Sequence, residues 1–433
     1  MSGGLSDLGI VVRSLRIRLF STLTTALTVA VAVALLLTLL SLRSAGEKAF
    51  DRGSGNAHLL VSADASPLVS VLNGLFYANA PQRPLEWSRY EAIRASFPWA
   101  WGVPIQQGDS YRGYPVLATT PEFFSRFEPS PGEPWAFAKG RPFTRTPSGE
   151  GTAFEAVLGS TVAATTGLRE GAKLLFTHGA GPGAEHGHVH KEHEFTVVGI
   201  LAPTGSAHDR AVFTDLESSW ILHAQDRLEL GGKHVTATAA DLVEGDRLVT
   251  GVLLRVPTRE GSNASASIQS QFDRLRRDPT LTVAMPAEQV RKLFAIVADV
   301  DAIFLAIAIA VLLASAVSIL LALYHSMGER RRQIALFRTL GCSRARLVSL
   351  VLAESACLGL LGGAIGIGLA LVGGEIAAAI LAGRVGLVIE PGLDLRAAII
   401  TLGATVALAC LAGVVPAIRA YRTPILENLR AFA

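Results

Sequence analysis

The chain has 433 residues and a net charge of +3; half of its residues are hydrophobic, only 17% are charged, and the mean hydropathy is +0.40. Ordinary soluble proteins carry about 25% charged residues, so this composition excludes a typical soluble domain, and so small a net charge gives no basis for nucleic-acid binding. The three cysteines, Cys342, Cys357 and Cys410, all lie in or near the C-terminal apolar blocks, which excludes a disulfide scaffold for the long segment before them.

In chain order, residues 1–18 form a basic amphipathic opening with Arg13, Arg16 and Arg18, followed by an apolar run over 19–42. A spanning helix needs about 20 apolar residues, and this run exceeds the roughly 7–15 of a signal-peptide core. It reads as a retained signal anchor. Residues 43–298 then alternate strand-like runs with turn signals. Phe195–Leu201, Ala211–Phe213 and Val252–Val256 are rich in β-branched and aromatic residues and predict strands. Helical patterns cover Trp87–Ala95, Gly159–Thr166, Leu216–Ala224 and Ser265–Arg277, while dense Pro and Gly predict an irregular connection over Pro129–Pro147. The segment reads as a two-lobed α+β domain. Pro286, a favoured first-turn residue, predicts a helix running directly into the second span at 299–324.

A basic segment follows at 325–346, a third span with its outer end at 347–382, a short polar loop at 383–394, a fourth span at 395–418 and a tail at 419–433. Arg330, Arg331, Arg332, Arg338, Arg344 and Arg346 crowd the segment between spans two and three, and Arg419, Arg422 and Arg430 follow span four. By the positive-inside rule, both termini and this loop are cytoplasmic, and the segment 43–298 faces outward. No Lys, Arg, Asp or Glu occupies the middle of a span; Glu354 lies near the inner end of the third. That argues against an ion pump or proton-coupled carrier. Gly362 and Gly366 have GxxxG spacing, which fits either packing within the chain or a subunit contact. No G-x-x-x-x-G-K-[ST], G-x-S-x-G or H-E-x-x-H occurs, so no intrinsic nucleotide site, cofactor or catalytic residue is expected.

Half of the ten histidines fall in the tract THGAGPGAEHGHVHKEHEF. His186, His188, His190 and His193, with Glu185, Glu192 and Glu194, have the donor chemistry for zinc or a similar metal. A solvated hairpin insert with adventitious metal affinity is the alternative, and it is the reading the tract favours. His58, His208, His223 and His234 stand alone in the sequence and read as structural, and the five tryptophans read mostly as core.

The segment Gly328–Leu371 combines Arg330–Arg332, the apolar positions Ile334–Leu340, Gly341–Ser343, Glu354 and the glycines Gly359–Gly368. It resembles the FtsX-like permease domain, as does the closing VVPAIRAYRTPILENLR. Gly140–Thr144, Glu155–Phe176 and Phe195–Leu222 are similar, in order, to a MacB-like periplasmic core. The resemblance implies a four-span permease in the bacterial inner membrane, acting as a homodimer on a separate cytoplasmic ABC ATPase dimer that uses the ATP. It implies mechanical coupling to the outer domain, a lipid, lipoprotein, peptide or metal-linked cargo, contact with membrane lipid, and a periplasmic or outer binding protein as a further partner. It places ATPase coupling on Glu329, Arg330, Arg331, Arg332, Ile334, Leu336, Phe337, Leu340 and Gly341, whose apolar members fit one docking face; an interfacial helix on anionic lipid is the alternative. A scaffold that activates an extracytoplasmic enzyme, and a metal-responsive platform, are the rival readings.

Overall fold

A computed structural model of the chain describes residues 7–81, 83–144, 154–179, 189–232, 235–259, 265–329, 334–335, 338–339, 341–385 and 392–422. They form two compact units, one centred on Gly46–Ile296 and one built from the flanking apolar helices.

The chain opens with α1 (Asp7–Ile17) and α2 (Leu19–Gly53). Then come β1 (Leu59–Ser62), α3 (Pro67–Gly74), β2 (Leu85–Glu86) and α4 (Trp87–Ala95). A hairpin of β3 (Trp101–Tyr111) and β4 (Tyr114–Thr119) leads to α5 (Glu122–Arg126), β5 (Phe137–Gly140), β6 (Glu155–Leu158) and α6 (Ser160–Thr166). Next are β7 (Lys173–Leu174), β8 (Thr177–His178), β9 (Phe195–Leu201), β10 (Val212–Asp215) and α7 (Leu216–Leu230). The outer unit closes with β11 (Leu248–Val249), β12 (Gly251–Arg255), α8 (Ser267–Leu275) and β13 (Thr282–Ala284). The last helices are α9 (Pro286–Glu329), α10 (Arg344–Val385) and α11 (Leu395–Arg422).

One mixed sheet in the order β13-β1-β12-β3-β4-β10-β6-β9-β5 carries the outer unit, with β8 also on β3 and β7 on β9. Residue alternation sends successive side chains to opposite faces. Leu60, Val157, Phe213 and Leu253 join one core that runs the length of the sheet. On the opposite face the cores are separate: Leu59, Val61, Val252 and Leu254 pack beneath α4 and α8, while Ala156, Leu158, Val197 and Val212 pack with α6. The two expected lobes therefore share one sheet and divide only across its second face. Trp99, Trp101 and Trp220 are buried in these cores, and Trp87 and Trp135 pack against them.

In the other unit, α2, α9, α10 and α11 are each long and apolar enough to cross a membrane. A Cβ on Gly362 would lie 2.6 Å from the Val29 Cβ, and one on Gly366 2.7 Å from that of Val33. The GxxxG face thus packs against α2 within the same chain, where only glycine permits so close an approach. On the neighbouring face, Gly359 meets Ala409 of α11. Helix α1 is tied to α10 at two points: Ser14 donates a 2.7 Å hydrogen bond to the buried Glu354, and Arg346 pairs with Asp7 at 2.7 Å. The polar end of Glu354 is thereby satisfied, which a buried carboxylate requires. Ile303, Phe304, Ile307, Leu313 and Val317 of α9 are exposed and form an apolar face of the kind that suits lipid.

Candidate functional site

A cluster of three histidines and two aspartates forms where four chain segments meet. The β3–β4 pairing shifts register between Gln107 and Ser110. Such a bulge re-aims the side chain it carries, and here that side chain is Asp109, only 3% exposed. Strand β8 sets His178 directly opposite Asp109. An isolated bridge joins Thr177 to Val189, and the backbone N–H of His190 donates to the Phe176 carbonyl at 3.0 Å, which places the fully buried His190 beside the pair. From α7 come His223 and Asp226, three residues apart and so on one helical face.

The distances are consistent among themselves. His178 Nδ1 lies 3.3 Å from Asp109 Oδ1, His190 Nε2 lies 3.8 Å from the same oxygen, and His223 Nε2 lies 3.9 Å from Oδ2. The other nitrogen of His190 stands 3.4 Å from Asp226 Oδ1. Two overlapping triads result, Asp109–His178–His190 and His178–His223–Asp226, each with its ligand atoms within 4.8 Å of one another. Burial opposes ionisation of Asp109, yet the imidazoles of His178, His190 and His223 hold its carboxyl well below the usual carboxylate range. Burial likewise opposes a charge on His190, but Asp109 and Asp226 raise its pKa to about 9. Contact with Asp109 raises His178, and His190 lowers Asp226 against its own burial.

Of the four histidines expected to bind metal, His190 is the one among the described residues that joins this group. His193 is buried and stacks on Phe154, with ring centroids 4.5 Å apart. His186 and His188 lie outside the described residues. His223, solitary in the sequence, belongs to the cluster. His208 is also buried, but among Phe123, Phe127 and Trp135, with Tyr77 Oη 2.6 Å from its Nδ1. Burial lowers its pKa to about 3.

The sequence profile of the MacB-like periplasmic core domain matches residues 22–250, more than half of the chain, and that of the FtsX-like permease C-terminal domain matches residues 305–425. The chain belongs to the MacB-like, FtsX-like permease family. Curated proteins give no significant match. Among solved structures, the chain is similar to the extracellular domain of the noncanonic ABC-type transporter YknZ from Gram-positive bacteria, at 10% identity and a TM-score of 0.28, over 52% of this chain and 98% of that one.

The segment on which coupling to an ATPase is expected lies within the permease match. Arg330, Arg331, Arg332, Leu336, Phe337 and Leu340 fall outside the described residues, as does the side chain of Glu329. Ile334 does not join an open docking face in this structure. It is 6% exposed and packs with Met327, Leu347, Val351, Ala417 and Ala420 of the permease bundle. Gly341 has φ +90°, with open space around the position of a Cβ. Such a turn favours glycine for its backbone alone, and it directs the chain into α10.

Proposed function

We propose that the chain is the membrane subunit of an ABC transport system and passes the ATP-driven closure of a separate cytoplasmic ATPase dimer to its outer domain. The observation that carries this reading is the pairing, in one chain, of a MacB-like core and an FtsX-like permease end with four apolar helices, without any Walker-type sequence. In this reading the permease is a homodimer in the bacterial inner membrane, with both termini and residues 325–346 in the cytoplasm. Its outer domain moves a lipid, lipoprotein, peptide or metal-linked cargo, with a periplasmic or outer binding protein as its further partner.

The ATPase engages Glu329–Gly341. Ile334 anchors this segment to the bundle, and Leu336, Phe337 and Leu340 are the apolar residues assigned to the ATPase contact. The unbroken helical course of α2 and α9, which run over Leu19–Gly53 and Pro286–Glu329, supports mechanical transmission. A continuous hydrogen-bonded helix transmits displacement with little loss compared with a loop.

Co-purification in detergent with the ATPase encoded beside the gene tests the proposal. A stable complex with stimulated ATP hydrolysis is expected. Phe337→Ala and Leu340→Asp should abolish the stimulation, and Gly341→Val should weaken it by straining the turn. Failure of every candidate ATPase to associate would contradict the proposal.

A further inference from the structure

We infer that Asp109, His178, His190 and His223 form a binding site for one divalent transition-metal ion of the zinc class, with Asp226 behind His190 as the carboxylate that orients it. The site goes beyond the permease reading and does not require it.

Geometry separates this inference from a plain ion-pair network. Charge-assisted N–H···O bonds close to about 2.7–2.9 Å. The four contacts here stand at 3.3, 3.4, 3.8 and 3.9 Å, and Asp109 Oδ1, fully shielded from solvent, makes no hydrogen bond among the described residues. Of the three imidazoles arranged around the buried carboxylate, His178 approaches only to 3.3 Å and His190 and His223 stand beyond hydrogen-bonding distance, which leaves room that a cation fills. Metal–ligand bonds of about 2.0–2.2 Å in a tetrahedron set neighbouring ligand atoms about 3.3–3.6 Å apart, close to the 3.3 Å between His178 and Asp109 and shorter than the 3.8 and 3.9 Å from Asp109 to His190 and His223; His223 joins the site through its triad with His178.

The donor set selects the ion. Imidazole nitrogen with carboxylate oxygen, and no thiolate, suits zinc, cobalt or nickel, whereas calcium and magnesium require mostly oxygen. His190 shows the arrangement usual for a metal-bound imidazole, one ring nitrogen toward the site and the other toward a carboxylate. Access is provided as well: the His178 side chain is 52% exposed and that of His223 26%, while Asp109 and His190 form the closed floor.

The construction is also more deliberate than a histidine-rich tract requires. The ligands come from the β3 bulge, from β8, from the residue after the Thr177–Val189 bridge and from one face of α7. A tract with incidental affinity uses neighbouring residues; this site is closed by tertiary structure.

The test uses the full-length chain in detergent, free of any affinity tag and stripped with a chelator, titrated with zinc(II) and separately with cobalt(II). One equivalent of zinc per chain is expected, together with the visible d–d absorption of cobalt in a tetrahedral N/O site. His178→Ala and His223→Ala should each weaken zinc binding by about 100-fold or more, and Asp226→Asn by about 10- to 100-fold. His193→Ala and the pair His186→Ala with His188→Ala should leave binding within about threefold.

Tryptophan fluorescence checks that each variant is folded, because all five tryptophans lie between residues 87 and 220. If the alanine variants fail that check, the milder Asp226→Asn variant decides alone. Absence of one-equivalent binding, weak uptake of several ions, or binding lost only in the His186/His188 pair would each overturn the inference.

Discussion

His190 and His208 are both buried within the outer unit, at 0% and 1% exposure, yet the surroundings of one favour the charged ring and those of the other the neutral ring. Between Asp109 and Asp226, His190 has its pKa raised to about 9; among aromatic rings, His208 has its pKa lowered to about 3. Burial opposes a charge on both rings. What differs is the presence of carboxylates: those beside His190 outweigh its burial, whereas among the described residues burial alone acts on His208. The comparison teaches that burial alone does not identify a functional histidine. An imidazole that faces unsatisfied carboxylate oxygen belongs to a site, and one that shares a hydrogen bond with a tyrosine hydroxyl among aromatic rings belongs to a core.

Four tests break or sharpen that contrast, each read from tryptophan fluorescence of the full-length protein during chemical unfolding. The largest effect is expected from His190→Phe. It leaves Asp109 buried with one counter-charge fewer, and removing one partner from a buried charged group costs about 3–5 kcal/mol. A loss below about 1 kcal/mol would show that Asp109 does not depend on His190.

The second test is acidification. The folded-state pKa of His208 lies below its unfolded value of 6.5, so its contribution is fully present above that value and is lost as pH falls. Each unit below it costs about 1.4 kcal/mol, or about 2 kcal/mol by pH 5. Third, His208→Phe should cost about 1–2 kcal/mol by stranding the Tyr77 hydroxyl and should flatten the acid limb. An unchanged acid limb in that variant would assign it to other groups. Smallest is Tyr77→Phe, at about 1 kcal/mol, since it removes a single hydrogen bond.

Much of the fold was readable from residue pattern because the patterns are local. The apolar runs announce the four spans, and the alternation in FTVVGIL corresponds to β9 residue for residue. Trp87–Ala95 was likewise readable as α4. Strand β3 escaped detection for a physical reason: it carries Pro104 and Gly108, which argue against a central strand, and its bulge breaks the alternation.

The cluster was only half legible. The histidine-rich tract pointed to the neighbourhood of His190, but Asp109 lies 69 residues before His178 and is brought there by the β3–β8 register. The one local signal that could have added to it is His223 with Asp226 at i, i+3 spacing on a predicted helix. Periodicity groups Ile334 with Leu336, Phe337 and Leu340 on one docking face, but it cannot show that Ile334 is already covered by the bundle.

The most direct test of the central claim is hydrogen–deuterium exchange of the permease–ATPase complex, with and without a non-hydrolysable ATP analogue. The account predicts altered protection in the outer domain and around Pro286 of α9 when nucleotide binds, and loss of that response in Phe337→Ala. Changes confined to the ATPase and residues 325–346, with the outer domain unmoved, would contradict it.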